Sequence, residues 1–237
     1  MIPWPRLLEI VKTGWFMLRA VIFDYNGTLL DDLSVAYGSV VEIFRVYNIR
    51  PPTLDQYRQE ITADFMKFYY RHGFSDQPGN PLYANAADLN VIRKAYYKQH
   101  GHLADFRPDA EGVFQELVSR NIRLAIVSAE ISSVLLERLE FTGLAKYFNG
   151  NMKGSVWGDK APALFETAQR LGVVCEDTAY VDDSLDGTGA AKRLGMTAIG
   201  MGSGYCSPER LLLVTPYVIN ALTELLRFTE IEPLGAS

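Results

Sequence analysis

The chain is poor in the features that mark several classes of protein. Of its 237 residues only 2 are cysteine, Cys175 and Cys206, and 3 are histidine. Two cysteines cannot build a disulfide framework, and their scarcity favours a reducing compartment, so we expect a cytoplasmic protein. Lysine and arginine number 23 against 28 acidic residues, a net charge of −5. Because basic residues form no cluster, nucleic acid is excluded as the expected partner.

The sequence also lacks a hydrophobic run that could cross a membrane, which takes about 20 mostly apolar residues. The apolar opening strip, residues 1–16, is interrupted by Arg6, Glu9 and Lys12, and it lacks the pattern of a secretory signal. We interpret this strip as an N-terminal extension of a domain that starts at Met17. A short amphipathic helix that touches a membrane surface or a partner is the alternative interpretation.

The remaining composition is that of an ordinary globular protein, with 48% hydrophobic and 22% charged residues. Three short apolar runs, at residues 20–23, 124–127 and 179–181, show no alternation of polar and apolar side chains. Such runs are typical of strands buried on both faces of a parallel sheet.

Segments with the apolar spacing of helices follow these strands. We predict helices over residues 109–120, 131–141, 161–171 and 187–194, a further strand over 196–199 and a last helix over 215–228. Gly143 and Gly172 lie where two of these helices should end, since glycine readily adopts the left-handed conformation that closes a helix. The alternation of strand and helix predicts a doubly wound α/β sheet.

Residues 33–106 break this alternation. Their apolar side chains follow helical spacing instead, for example at Val40, Phe44, Phe65 and Phe68, and prolines and glycines interrupt the pattern. We therefore predict an α-helical insertion between the first and second strands of the sheet. We expect this insertion to act as a lid over the active site, with its many aromatic and basic residues determining which substrate is bound.

Polar side chains follow the predicted strands where ligands of a doubly wound sheet bind. Asp24 follows the first strand, Ser128 the second, and Asp182 and Asp183 the third. Carboxylates that converge from separate strands repel one another without a cation, and hard oxygen ligands select Mg²⁺. One carboxylate would then attack phosphorus, while the Ser128 hydroxyl and the Lys160 ammonium hold the phosphoryl oxygens.

Four motifs, in order along residues 17–228, resemble those of the haloacid dehalogenase (HAD) superfamily. The first motif, D-x-D-G-T, is matched by VIFDYNGTLLDD, and the second, an apolar strand ending in Ser or Thr, by IRLAIVSAE. The third, which contributes a lysine, is matched by GDKAPALFETAQRLG, and the acidic fourth by AYVDDSLDGTGAAKRLGM. The resemblance implies an α/β fold with a Rossmann-like doubly wound parallel sheet, in residues 17–32 and 107–230, and an inserted α-helical cap domain, in residues 33–106.

Carried over residue by residue, the resemblance also implies roles. Asp24 would be the nucleophile that forms an aspartyl-phosphate, and together with Asp183 it would bind Mg²⁺. Ser128 would donate a hydrogen bond to the phosphoryl group, and Lys160 would neutralise its charge. Asp186 matches the other acid of the fourth motif, which supports the metal site or orients the lysine.

Two of these assignments have rivals in the sequence. Lys153 lies just upstream of Lys160 in a glycine-rich stretch and competes for the lysine role. Asp182 competes with Asp183 as the metal ligand, because the family usually has glycine at the place of Asp182. Both alternatives stay open at the level of the sequence.

The chain departs from the phosphatase pattern at Asn26, where most family phosphatases carry a second Asp. The backbone carbonyl of Asn26 would serve the metal as that of an Asp does, so we count Asn26 among the metal-binding and catalytic positions. Its amide, however, cannot protonate a leaving oxygen or activate water. Loss of general acid–base catalysis typically costs about 10²–10⁴-fold in rate.

The expected function is that of a Mg²⁺-dependent HAD-type hydrolase, a phosphatase for a small phosphorylated metabolite. We expect it to act as a monomer or homodimer, without nucleic acid or membrane as partner. The alternative, because of Asn26, is a catalytically weak protein of the same fold that binds phosphorylated ligands or regulates. A haloacid dehalogenase ranks below both, since family dehalogenases generally carry other residues at this position.

Overall fold

The computed structural model describes residues 18–62 and 64–229, so the N-terminal extension assigned to residues 1–16 lies outside the described part. Strand β1 (Ala20–Phe23) consists of four apolar residues, all buried. It pairs in parallel with β4 (Arg123–Val127) on one side and with β6 (Thr178–Asp182) on the other. These are the three strands predicted from the apolar runs, and their ends agree to within one residue.

The described residues form a six-stranded sheet, completed by β5 (Met152–Lys153), β7 (Thr197–Met201) and β8 (Val218–Ile219). Its order is β5-β4-β1-β6-β7-β8, and all neighbours are parallel. Successive side chains of a strand point to opposite faces. Accordingly, Val21 and Phe23 belong to one core cluster, and Ala20 and Ile22 to another. The doubly wound parallel sheet predicted from the sequence is confirmed.

Among the described residues, four α-helices precede residue 105 after β1: α1 (Leu33–Val46), α2 (Leu54–Glu60), α3 (Phe65–Arg71) and α4 (Ala86–His100). A two-stranded antiparallel pair, β2 (Leu30–Asp31) with β3 (Asp105–Phe106), stands where the chain leaves and re-enters the sheet region. The helices enclose a cluster of their own around Phe44, Phe68 and Phe74, which shares no buried residue with the two sheet clusters. The helical character predicted for residues 33–106 is confirmed.

The sheet is covered by α5 (Ala110–Ser119) and α6 (Ser132–Phe141) on one face and by α7 (Ala161–Leu171) and α8 (Leu185–Arg193) on the other. Helix α7 ends at Gly172, whose φ of 66° is the left-handed cap expected there. Helix α8 begins two residues before its predicted start, because the Ser184 side chain accepts a hydrogen bond from the Gly187 backbone N–H and caps it.

The helix predicted over residues 215–228 is wrong. This segment contains strand β8 and a 3₁₀ helix (Leu222–Phe228), and it follows the short helix α9 (Pro208–Leu211). The backbone N–H groups of Gly200 and Gly202 donate to the carbonyls of Tyr217 and Ile219 at 2.8 and 2.7 Å. Pairing with the open edge of β7 therefore overrides the local helical pattern in a β-branched stretch.

Among the described residues, no helix combines the length and the apolar character that crossing a bilayer requires.

Candidate phosphoryl and metal site

The carboxyl ends of β1 and β6 bring three carboxylates together. Asp24 directly follows β1, Asp182 ends β6, and Asp183 comes next. One oxygen of each lies within 4.8 Å of the others, and all three residues are buried. Because Phe23 pairs with Val181 in a parallel register, both strands end at the same edge of the sheet. The convergence predicted from the sequence is thus present.

Lys160, at the start of α7, lies against this group. Its Nζ is 2.8 Å from Oδ2 of Asp24 and 2.8 Å from Oδ2 of Asp182. Burial alone would lower the pKa of Lys160, but attraction to the two carboxylates outweighs burial and raises it. The rival, Lys153, instead pairs with Glu166 on the surface. Of the two lysines, only Lys160 reaches the carboxylates.

Replacing Lys160 with Met is expected to lower the free energy of unfolding by about 3–5 kcal/mol, because two buried carboxylates lose their shared cation. The matched control is Lys153→Met, which removes a lysine from an exposed pair and should change the free energy by no more than about 1 kcal/mol. Urea denaturation in the presence of a chelator measures both values. Equal losses in the two variants would contradict the central place of Lys160 in the buried network.

Asp182 holds the lysine in place. Its Oδ2 accepts hydrogen bonds from Lys160 and from the Tyr180 hydroxyl at 2.8 and 2.7 Å, and its Oδ1 accepts two from Ser184 at 2.6 Å each. Burial favours the neutral acid, but Lys160 and these donors hold the pKa of Asp182 below its usual value. A Cβ at Gly187 would lie 1.9 Å from Oδ2 of Asp182, so this carboxylate fits only because residue 187 has no side chain.

Asp183 is held from two sides with fewer donors. The Tyr205 backbone N–H donates to its Oδ2 at 2.6 Å, and the Thr28 hydroxyl lies 3.4 Å from its Oδ1. Gly27 has a φ of 73°, and a Cβ there would lie 2.1 Å from Oδ2 of Asp183. The turn after β1 can therefore approach this carboxylate only with glycine at position 27.

Asp24 presents an oxygen without a partner. Its Oδ1 is buried and accepts no hydrogen bond, whereas its Oδ2 contacts Lys160. Burial raises the pKa of Asp24 to about 6 against the pull of Lys160, and the charge of Asp182 adds to the rise. Burial, together with the charges of Asp182 and Asp24, raises the pKa of Asp183 well above its usual range.

These residues fit a divalent cation. Three buried carboxylates face a single lysine, which leaves two negative charges uncompensated when all three are ionised. The unpartnered Oδ1 of Asp24 and the oxygens of Asp183 are hard oxygen donors, the type that Mg²⁺ prefers. A bound cation would reverse the upward pKa shifts, since positive charge favours the ionised form of a carboxyl group.

The side chain of Asn26 points to another carboxylate. Its Nδ2 donates to Oδ2 of Asp32 at 3.0 Å. Asp32 is fully buried and also accepts hydrogen bonds from the Gly27 backbone N–H at 2.9 Å and from the Tyr205 hydroxyl at 2.7 Å. The amide of Asn26 is therefore matched to a buried acid, and a carboxylate in its place would face a like charge.

The two remaining predicted residues are placed differently. Ser128 follows β4, the neighbour of β1, and is buried; its hydroxyl accepts a hydrogen bond from the Glu130 backbone N–H at 3.2 Å. Asp186 lies exposed in the first turn of α8 and is not among the three grouped carboxylates. The metal-supporting or lysine-orienting role expected of Asp186 stays a prediction, while the acid whose contact with Lys160 is seen is Asp182, at the end of β6.

Sequence reasoning missed the residues that brace the site from a distance. Arg107, buried behind the turn after β1, donates to the carbonyls of Thr28 and Gly27 at 2.7 and 2.8 Å. Tyr205, in the loop after β7, contacts both Asp183 and Asp32. No local motif marks these two residues.

The comparison with protein families matches residues 21–201 to the model of haloacid dehalogenase-like hydrolases. Phosphoglycolate phosphatase of Vibrio parahaemolyticus is 27% identical over 228 residues, which cover 88% of this chain and 95% of that protein. A pyrophosphatase of Oceanobacillus iheyensis is 25% identical over 145 residues, 56% of this chain and 58% of that protein.

Solved structures share the fold. A haloacid dehalogenase-like protein from Agrobacterium tumefaciens superimposes with a TM-score of 0.73 at 18% identity, covering 89% of this chain and 96% of its own. The family match spans β1, the inserted helices and the strands up to β7, and it includes the three carboxylates and Lys160. The chain therefore belongs to the haloacid dehalogenase-like hydrolases.

Proposed function

We propose that the protein is a Mg²⁺-dependent phosphatase that hydrolyses a small phosphorylated metabolite through an aspartyl-phosphate on Asp24. The observation that carries this proposal is the state of the Asp24 carboxylate. One oxygen is fixed by Lys160 and the other is buried without a hydrogen-bond partner, beside two further acids. An oriented carboxylate of this kind suits nucleophilic attack. The similarity to phosphoglycolate phosphatase and to a pyrophosphatase supports the reaction class.

In the proposed reaction, a carboxylate oxygen of Asp24 forms a bond to phosphorus while the bond from phosphorus to the leaving oxygen breaks. Water then attacks the phosphorus of the aspartyl-phosphate, which releases inorganic phosphate and regenerates the carboxylate. Lys160 holds Asp24 in place and supplies positive charge where the phosphoryl oxygens gather. The Ser128 hydroxyl, beyond the end of the neighbouring strand β4, would donate to a phosphoryl oxygen.

Mg²⁺ would be held by Asp24, Asp183 and the backbone carbonyl of Asn26, and it would supply positive charge that neutralises the phosphoryl group. Asp182 is the weaker candidate for a ligand, because four donors already occupy its oxygens. We assign it the role of orienting Lys160.

We further propose that residues 33–106 act as a cap over this site, on a core formed by residues 17–32 and 107–230. Tyr57 of α2 and Tyr97 of α4 lie close enough to Tyr205 to affect the pKa of its hydroxyl. Burial, Asp32 and these two tyrosines together raise the pKa of the Tyr205 hydroxyl well above its usual value. A cap that brings aromatic side chains to the acids would exclude water from the phosphoryl group.

A cytoplasmic location is part of the proposal. Cys175 and Cys206 are both free thiols, which agrees with a reducing compartment. The relatives with matching sequences are bacterial phosphatases.

A panel of phosphate compounds tests the proposed function. It should contain phosphoglycolate, pyrophosphate, an acyl phosphate and simple alkyl phosphates, each assayed with Mg²⁺ and with a chelator. We expect Mg²⁺-dependent phosphate release, fastest for anhydrides and acyl phosphates, because Asn26 supplies no acid for a poor leaving group. Absence of Mg²⁺-dependent turnover on every member would favour the second candidate, a phospho-ligand binding protein of the same fold. The observation that favours this second candidate is the side-chain amide of Asn26, which donates a hydrogen bond to Asp32 and cannot act as a general acid.

A further inference from the structure

The loop after β7, residues 202–206, shapes the surroundings of Asp183. The Tyr205 backbone N–H donates to Oδ2 of Asp183 at 2.6 Å, and the Cys206 backbone N–H donates to the Asp183 carbonyl at 3.2 Å. A Cβ at Gly204 would lie 2.3 Å from the Cβ of Asp183. The backbone of this loop thus lies directly against the acid that we assign to Mg²⁺.

Arg58 of the inserted helix α2 holds the same loop. Its Nε donates to the carbonyl of Gly204 at 3.1 Å, and its Nη2 donates to the carbonyls of Gly202 and of Cys206, the latter at 3.3 Å. The three carbonyl dipoles therefore converge on one guanidinium group. Without a cation at their centre these negative ends would repel one another, so the observed path of the loop depends on Arg58.

The end of α2 is also fastened from the core side. The Ser207 backbone N–H donates to the Arg58 carbonyl at 3.1 Å. Nη1 of Arg210 donates to the carbonyls of Arg58 and Ile61 at 3.1 and 2.8 Å. Arg58 thus joins α2 to the 202–206 loop, and Arg210 joins the short helix α9 back to the end of α2; of the two, only Arg58 has hydrogen bonds to the carbonyls of the loop.

We propose that Arg58 is a positioning residue for Asp183 and sets the affinity of the site for Mg²⁺ through the 202–206 loop. This inference rests on the proposed function, because it assumes that Asp183 binds the metal. Arg58 touches neither the acids nor the phosphoryl position; it acts through the Tyr205 N–H and the packing of Gly204. The hydrogen bonds from Arg58 to the loop carbonyls, rather than the fastening of α2 as such, therefore set the strength of the metal site.

Calorimetric titration of metal-free protein with Mg²⁺ alone tests this link. Arg58→Gln is expected to weaken Mg²⁺ binding about 10-fold, the lower end of the effect seen when residues behind metal ligands are changed. Arg58→Lys keeps the positive charge but not the forked donors, so its affinity should fall between those of wild type and Arg58→Gln. The Mg²⁺ concentration that gives half-maximal turnover should rise in the same order.

Arg210→Gln is the matched control, since it removes the other arginine that fastens α2 and leaves every donor to the loop in place. Its Mg²⁺ affinity should equal that of wild type within about 2-fold, because the three hydrogen bonds of Arg58 to the loop carbonyls remain. Equal affinities in all four proteins, or equal losses at Arg58 and Arg210, would overturn the inference while the proposed function stands. If wild type itself binds no Mg²⁺, the metal site of the proposed function fails together with the inference. Circular dichroism without Mg²⁺ confirms that each variant is folded before titration.

Discussion

Replacement of Asp24 by Asn is expected to lower the turnover number by about 10⁴-fold or more, the scale of loss when a nucleophile is removed. The side-chain amide cannot attack phosphorus, although it has nearly the same shape as the carboxylate. Acid-quenched protein should carry labelled phosphate when wild type is mixed with labelled substrate, and it should carry none in the variant. Steady-state assays with saturating Mg²⁺ measure the loss.

Asp159→Asn provides the control for this substitution. Asp159 precedes Lys160 in the chain, but its side chain is 59% exposed and pairs with Arg193 on the surface. The same chemical change there should alter turnover by no more than about 3-fold, as for an ordinary surface substitution. Persistence of labelled protein after the loss of the Asp24 carboxylate would show that another group forms the covalent bond.

Restoring an acid at position 26 should work only when position 32 changes as well. In Asn26→Asp alone, the new carboxylate would face the buried Asp32 where a hydrogen bond of 3.0 Å now exists. Like charges at this distance destabilise the ionised pair. In the double variant with Asp32→Asn, the amide at position 32 could accept from the Gly27 N–H and donate both to the new acid and to the Tyr205 oxygen. The hydrogen bonds to residues 26 and 205 would persist with their direction reversed, and the one from the Gly27 N–H would keep its direction.

For alkyl phosphates, whose leaving oxygens need a proton, we expect the double variant to raise turnover by about 10²–10⁴-fold, the usual value of general acid–base catalysis. Acyl phosphates should respond little, because their leaving groups need no proton. The dependence of turnover on leaving-group pKa, compared among wild type, the single variants and the double variant, measures this effect. A gain in Asn26→Asp alone as large as in the double variant would show that Asp32 does not constrain position 26.

The strands and the acids at their ends could be predicted because the signal is local. A buried parallel strand needs an unbroken apolar run, and the residue after it must lie at the ligand-binding edge of the sheet. Asp24 and Asp183 are placed in this way. The sequence could not exclude Lys153 in favour of Lys160. The outcome depends on the path of the chain before α7, which directs the side chain of Lys160 to Asp24 and leaves Lys153 paired with Glu166.

Contacts between distant parts of the chain could not be predicted. Arg58 meets Gly204 across 146 residues, and Tyr205 meets Asp32 across 173; neither contact leaves a spacing pattern to read. The helix prediction for residues 215–228 is wrong for the same reason. The conformation of this segment depends on pairing with the free edge of β7 rather than on its own residues. Tertiary strand pairing overrides local helix propensity where the backbone N–H and C=O groups of a neighbouring strand need hydrogen-bond partners.

The close approach of Asp182 to Gly187 has a consequence for how relatives of this chain are recognised. The space above Gly187 is filled by the Asp182 carboxylate, so residues 182 and 187 cannot both carry sizeable side chains in this backbone. An aspartate at the end of β6 that serves the lysine therefore requires a residue without a side chain at position 187, on the first turn of α8. Asp182 and Gly187 should be read jointly, as one sequence signature.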